Sequence, residues 1–184
     1  MPVNASNDNL NWNAPGFRLQ SVDSNFYSLK DLVGVNGTVI AFICNHCPYV
    51  IEIIRRFVSE ANEMKKIGIN TIAIMPNDVS SYPKDSYNNM KLFAKMHDFN
   101  FQYLYDESQI TAKKYNAVCT PDIFGFNKFN KLKYRGRIDS KVMKENKIIN
   151  RELFYAMELI AKTNEGPSIQ MNSFGCSIKW KNNE

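Results

Sequence analysis

Two cysteines stand three residues apart in the stretch Cys44-Asn45-His46-Cys47-Pro48, with a histidine between them and a proline behind. Such residues can exchange electrons as a dithiol, supply soft and borderline ligands to a metal, or lie buried as inert thiols. Pro48 fixes much of the local geometry. A proline lacks the N–H that the first helical turn does not use, and its ring keeps the preceding residue out of the α region. Cys47 is therefore expected at a helix N-cap, where free backbone N–H groups and the helix dipole favour thiolate over thiol. Cysteines so placed reach pKa values of roughly 3.5 to 7.5, against about 8.5 for a free thiol. His46, if protonated, would stabilise that thiolate further. A Cys44–Cys47 disulfide is out of reach of an extended chain, which would hold the α-carbons about 10 Å apart, whereas a turn allows the roughly 4.4 to 6.8 Å required. The pair therefore needs a strand that stops by Cys44, and Asn45 tolerates the turn.

The flanking sequence supplies elements that would position this turn. Residues 38–43, TVIAFI, follow the turn signal Asn36-Gly37 and form a β-branched apolar run, the pattern of a strand buried on both faces. After Pro48, apolar residues at Val50, Ile51, Ile54, Phe57, Val58, Ala61 and Met64 predict an amphipathic helix ending in Lys65, Lys66 and Gly68. Residues 69–76 repeat the buried-strand pattern, and strand, helix and strand in succession imply parallel pairing. Further along, the pattern predicts a helix over 85–98, a strand over 101–105, a short helix over 108–116, a hairpin turning at 127–130 and a final helix over 151–163. The fold class is α/β, as a single domain over 1–184 with a core at 12–165 and a tail at 166–184 expected to pack back onto it.

Composition narrows the functions. With 184 residues, 44% of them hydrophobic, the chain is long enough for one core of its own. Its net charge of +5 comes from 23 Lys+Arg against 18 Asp+Glu, with part of the excess in residues 128–147. No nucleic-acid motif accompanies that run, so it is expected to be a solvated hairpin and loop, with no nucleic-acid partner. No run of ~20 apolar residues is present, and the first residues lack a basic and apolar leader pattern, so the expectation is a soluble cytoplasmic protein without a membrane partner. In that setting the four cysteines make a poor structural disulfide framework, and catalysis, metal binding or burial remain.

Ala14-Pro15-Gly16-Phe17-Arg18-Leu19, Tyr27-Ser28-Leu29-Lys30-Asp31-Leu32-Val33-Gly34 and Val118-Cys119-Thr120-Pro121, taken with the cysteine stretch, resemble the thioredoxin-like superfamily. Within it they are similar to the AhpC/TSA redoxin group, which includes peroxiredoxins and thiol–disulfide oxidoreductases. A peroxiredoxin-like subgroup is similar through residues 44–50, 103–107, 118–122, 134–137 and 175–181. The resemblance implies a thioredoxin-like fold, a central mixed sheet flanked by helices, with a redoxin-type N-terminal extension and a C-terminal tail. It implies a cis peptide at Thr120-Pro121, in a loop lying against the cysteines, where the backbone before the proline pairs with a bound peptide or thiol. Thr120 and Pro121 would then support the site, with Cys119 near it. No cofactor is implied. The substrate would be a protein or small-molecule thiol or disulfide, with peroxide as a further candidate, regenerated by a thiol reductant, in a monomer or homodimer.

Departures from the family patterns leave the roles open. Cys47 takes the place of the first cysteine of a thioredoxin pair, with Val50 where the second belongs. Against peroxiredoxins, Cys47-Pro48 resembles the peroxidatic cysteine and its proline, Cys44 replaces a threonine, and no arginine is identifiable as the peroxide-site partner. The expected reading is a thiol–disulfide oxidoreductase with Cys47 as nucleophile and Cys44 resolving, and thiol peroxidase activity as the alternative. In another register Cys44 attacks and Cys47 resolves, as in DsbA-type proteins. Cys176 is a rival resolver, since tail cysteines play that role in some peroxiredoxins, and Cys119 is an auxiliary candidate. A metal site of Cys44, His46 and Cys47, with Cys119 or Cys176 as a fourth ligand, resembles part of the Sco copper site, although the second Sco cysteine would fall at Ile51. A redox sensor or adaptor without turnover is the remaining class.

Overall fold

The computed structural model describes residues 2–5, 10–141 and 150–181. In chain order the elements are β1 (Pro2–Asn4), β2 (Arg18–Ser21), β3 (Phe26–Ser28), α1 (Leu29–Leu32), β4 (Gly37–Phe42), α2 (Pro48–Lys66), β5 (Ile69–Met75), α3 (Tyr87–Met96), β6 (Gln102–Tyr105), α4 (Ile110–Lys114), β7 (Cys119–Thr120), β8 (Asp122–Asn127), β9 (Leu132–Gly136), α5 (Glu152–Thr163) and β10 (Phe174–Ser177). Seven strands form one sheet in the order β3-β2-β6-β5-β4-β8-β9. The crossover through α2 makes β4 and β5 parallel, β6 continues parallel to β5, and β8, β9, β2 and β3 add antiparallel pairs. This is the mixed sheet of the expected thioredoxin-like α/β fold.

β4 is buried along its whole length, which is why its apolar run is continuous rather than alternating. Its alternate side chains feed two cores. Val39, Ala41 and Ile43 pack with Ile54 and Phe57 of α2 and with Leu153 and Met157 of α5. Ile40 and Phe42 point to the other face, among Ile72, Tyr115, Phe124 and Trp12. Aromatic edges close that second core, with Phe42 and Phe124 at 5.7 Å and Trp12 and Phe126 at 5.6 Å.

Two helix starts differ from expectation for local reasons. The helix expected from residue 85 starts at Tyr87, because Ser86 caps it by accepting the Asn89 N–H, and Asp85 belongs to a preceding 3₁₀ turn, Pro83–Asp85. The short helix begins at Ile110, after Gln109 in a left-handed conformation. In the β8–β9 turn, Asn127 Oδ1 accepts the N–H groups of Phe129 and Lys131, and Asn130 adopts a positive φ of 58°.

Two further findings concern function. The basic run is a solvated hairpin only in part: Lys128 is exposed, whereas Arg135 is buried against Asp122, and Lys133 is held by Asn11 and Glu165. An acidic partner on the neighbouring strand makes burial of the guanidinium affordable, which composition alone does not reveal. Residues 142–147 of that run lie outside the described residues. The tail packs back as a strand, with β10 at the centre of a second, three-stranded sheet in the order β1-β10-β7, antiparallel on both sides. Among the described residues no helix is long and apolar enough to cross a membrane.

Candidate active site

β4 ends at Phe42, its line of hydrogen bonds continuing once through Ile43 N–H to Ile74 O. The chain then turns through Cys44, Asn45 and His46 into α2, with Cys47 as N-cap (φ −70°, ψ 123°) and Pro48 in the first helical turn. Cys47 O accepts the first helical bond from Ile51 N–H at 3.0 Å. Both cysteines are buried, Cys44 at 1% exposure and Cys47 at 0%, and all four thiols of the chain are free.

Thr120 gathers the sulfurs. The Thr120-Pro121 peptide is cis, and the loop lies on the cysteine turn so that Cys47 Sγ donates to Thr120 O at 3.0 Å while Cys44 Sγ lies 3.4 Å from Thr120 Oγ1. On the far side of Thr120, β10 places Cys176 directly opposite it. Cys119, one residue away, points the other way, as alternation along a strand requires, and donates to Pro121 O at 3.4 Å. It is not brought into the sulfur cluster, and burial pushes its thiol far up.

The three clustered thiols are electrostatically unequal. Cys47 is pushed down to about 5, first by the Cys44 S–H, then against its own burial by the S–H and N–H of Cys176 and by the Val50 N–H. No formed hydrogen bond joins its side chain to the first-turn amides, so Val50 acts through the orientation of its dipole. The Thr120 carbonyl favours the thiol form, and the donors on the other sides outweigh it. Cys44 is pushed well up by donating to Cys47, by burial and by the charge of Asp85. Cys176 is raised to about 11 by burial and by its bond to Cys47. At neutral pH the cluster therefore holds one thiolate, on Cys47, between two protonated neighbours.

His46 does not sit where the sequence suggests. Its Nδ1 is 3.9 Å from Cys44 Sγ rather than beside Cys47, and is bound to Asp85 Oδ2 at 2.7 Å, which makes Nδ1 the proton-bearing nitrogen. The ring stacks on Tyr82 at 5.6 Å. Asp85 is fully buried and also accepts from Asn45 N–H and Asn77 Nδ2, both at 2.8 Å, while Tyr103 OH donates to Asn45 Oδ1 at 3.0 Å. Sequence reasoning missed Asp85, Asn77 and Tyr103. An aspartate at a helix start is ordinary, and nothing local tells that its carboxylate turns inward.

Ligand atoms of Cys44, His46 and Asp85 lie within 4.8 Å of one another. Asp85 replaces Cys47 in the expected metal set, because the Cys47 sulfur is turned to Thr120. Four arginines are engaged by carboxylates: Arg56 by Asp139, Arg135 by Asp122, Arg137 by Glu152 and Arg151 by Glu60. A cleft of about 810 Å³ is lined by Tyr49, Pro121 and Phe174, each within two residues of Cys47, Thr120 or Cys176 in the chain, and by Ile53, Ile138 and Met171.

Comparison with known proteins matches residues 10–135 to the model described as the AhpC/TSA family. No curated protein matches. Among solved structures, a protein of Geobacillus kaustophilus described as an uncharacterized conserved protein is 38% identical, with a TM-score of 0.95, the match covering 100% of this chain and 98% of that one. A hypothetical protein of Sinorhizobium meliloti 1021 is 29% identical, with a TM-score of 0.93 over 98% of this chain and 99% of that one. A peroxidoxin of Mycobacterium tuberculosis, 15% identical with a TM-score of 0.57 over 67% of this chain and 81% of that one, shares the fold.

Proposed function

The chain belongs to the AhpC/TSA family, and from that premise we propose that it is a thiol–disulfide oxidoreductase in which Cys47 attacks and Cys44 resolves. The observation that carries this reading is the convergence of both sulfurs on Thr120, Cys47 Sγ on its carbonyl and Cys44 Sγ on its hydroxyl. The Cys47 thiolate attacks one sulfur of a substrate disulfide, forming a mixed disulfide and expelling the other half as a thiolate. Cys44 then gives up its proton and attacks Cys47 Sγ, forming the Cys44–Cys47 disulfide and expelling the second half as a thiol. An external thiol reductant restores both. Cys47 is favoured over Cys44 as the attacking sulfur by its N-cap position before Pro48 and by its thiol being pushed down where that of Cys44 is pushed up. Peroxide could oxidise the same thiolate to a sulfenic acid, which Cys44 would resolve with loss of water. The engagement of Arg56, Arg135, Arg137 and Arg151 by acidic partners makes disulfide exchange the better-supported activity.

The test removes the resolving thiols. Cys44→Ser with Cys176→Ser is expected to stop after the first step and accumulate a mixed disulfide on Cys47, visible as one substrate half added to the intact mass. An unmodified mass, or an adduct mapped to Cys119, would reject the assignment.

The Cys44–His46–Asp85 cluster supports a second reading, a metal site with one soft and two harder ligands. Protein purified without chelator would then carry stoichiometric zinc or copper, lost in Asp85→Ala. Metal well below one equivalent, with thermal stability unchanged by chelator, would sink it.

A further inference from the structure

We propose that β10 fills the lane an extended polypeptide would need in order to reach Cys47, so that this site acts on low-molecular-weight disulfides. The proposal rests on the Cys47–Cys44 reading above and adds the substrate class. An extended chain delivering a disulfide gains most of its affinity by pairing its backbone with a free strand edge next to the reactive group. The backbone nearest the Cys47 sulfur is Thr120, whose carbonyl is 3.0 Å away. That edge is already paired within the molecule: Cys176 lies opposite Thr120, Ser177 opposite Cys119, and Ile178 N–H donates to Val118 O at 3.1 Å.

The strand is fastened at both ends. Before it, Ser173 O accepts Ala5 N–H at 2.9 Å, and Ser173 Oγ donates to Gly136 O at 2.7 Å. After it, Lys179 O accepts from Asp78 N–H and Gln109 Nε2, both at 2.8 Å, while Lys179 N–H donates to Asn77 Oδ1 at 2.9 Å. β1 covers its outer edge. Gly175 makes the close approach feasible, since a Cβ there would lie 2.1 Å from Thr120 O. Admitting a polypeptide therefore means peeling off a strand that is bonded on both sides.

A small molecule faces a lighter obstacle. Tyr49 and Phe174, both lining the cleft, meet edge to face at 5.1 Å, Phe174 is 44% exposed, and Cys176 is itself only partly buried. Exposed side chains change rotamer in ps–ns, far faster than strands detach. A small disulfide R–S–S–R can then react with the Cys47 thiolate and the Cys44 thiol to give the internal disulfide, one R–S⁻ and one R–SH, the single proton coming from Cys44 and the remaining thiolate leaving to solvent.

The experiment compares bis(2-hydroxyethyl) disulfide with insulin, with dithiothreitol as reductant, each rate divided by that of dithiothreitol alone. The full chain is expected to accelerate the small disulfide more than insulin by on the order of ten-fold or more. Gly175→Val, which forces β10 off Thr120, is expected to raise the insulin value toward that of the small disulfide. Equal acceleration of both by the unmodified protein, or an insulin rate indifferent to Gly175→Val, would overturn the proposal. If neither substrate is accelerated and Cys47→Ser changes nothing, the underlying thiol reading fails instead, and the proposal with it. Hydrogen exchange of the unmodified protein supplies a readout independent of the variant: the Ile178 amide is expected to be protected by on the order of 10²-fold or more, and exchange at the rate of a free amide would equally overturn it.

Discussion

Replacing Cys47 by serine is expected to lower disulfide reduction by on the order of 10³-fold or more, because the attacking thiolate is removed and a hydroxyl at the same place is not ionised. The fold should tolerate the change, since serine is of similar size and retains a hydroxyl that can donate to Thr120 O. The pH dependence of the unmodified protein gives a second, more discriminating result. With its thiol pushed down to about 5, Cys47 should be alkylated by iodoacetamide at a rate that climbs from pH 4 to about 6 and is level above. The sign follows from the thiolate being the reactive form: lowering pH below the folded value protonates it and stops the reaction, whereas raising pH further adds nothing. Cys44 and Cys176, pushed the other way, should contribute only at alkaline pH. A profile still rising through pH 8 would mean that the neighbouring thiols do not hold Cys47 as a thiolate. Cys44→Ala should move the profile upward, since it removes the S–H that is the leading stabilising donor.

The parts of this site that could be read from the sequence are those determined within a few residues. Pro48 limits what precedes it, so the N-cap placement of Cys47 follows from chain sterics, and the β-branched run before Cys44 reads as a buried strand ending where the turn must begin. The central sheet was legible for the same reason: buried strands and an amphipathic crossover helix leave strong periodic signals. β10 left none. Only four residues long, it joins strands of three and two residues and is held by backbone pairing, which imposes no hydrophobic period. The position of Cys176 beside Cys47 was therefore only one resolver among several. Asp85 and His46 illustrate a different limit. They are 39 residues apart, and their bond depends on how the 3₁₀ turn before α3 lies against the cysteine turn, a tertiary fact without a local trace.

The same limit hid Arg135, which seemed part of a solvated basic run, and its substitution carries the largest expected effect on stability. The guanidinium donates to both oxygens of Asp122, at 3.2 and 2.8 Å, and to Asn116 O at 2.8 Å, while stacking on Phe124 at 4.6 Å. Asp122 in turn accepts Val118 N–H at 3.2 Å, so the pair anchors both ends of the segment that carries Thr120 and Pro121. Burial raises the Asp122 carboxyl, and Arg135 opposes that rise without cancelling it. Arg135→Met keeps much of the stem and deletes the charge, leaving a buried carboxylate without its cation, a change that costs about 3–5 kcal/mol in comparable pairs. Denaturant unfolding at pH 8 should show a loss of that size. Without Arg135 the Asp122 pKa must rise further, so the folded state binds a proton more readily than the unfolded chain, and the deficit should shrink as pH falls toward 5. Arg135→Met with Asp122→Leu should recover part of the loss at pH 8, because no charge is then left buried, yet it should not restore the Val118 anchor. Disulfide reduction in that double variant should therefore remain impaired while stability improves, separating the energetic role of the ion pair from its part in holding Thr120 against the two sulfurs.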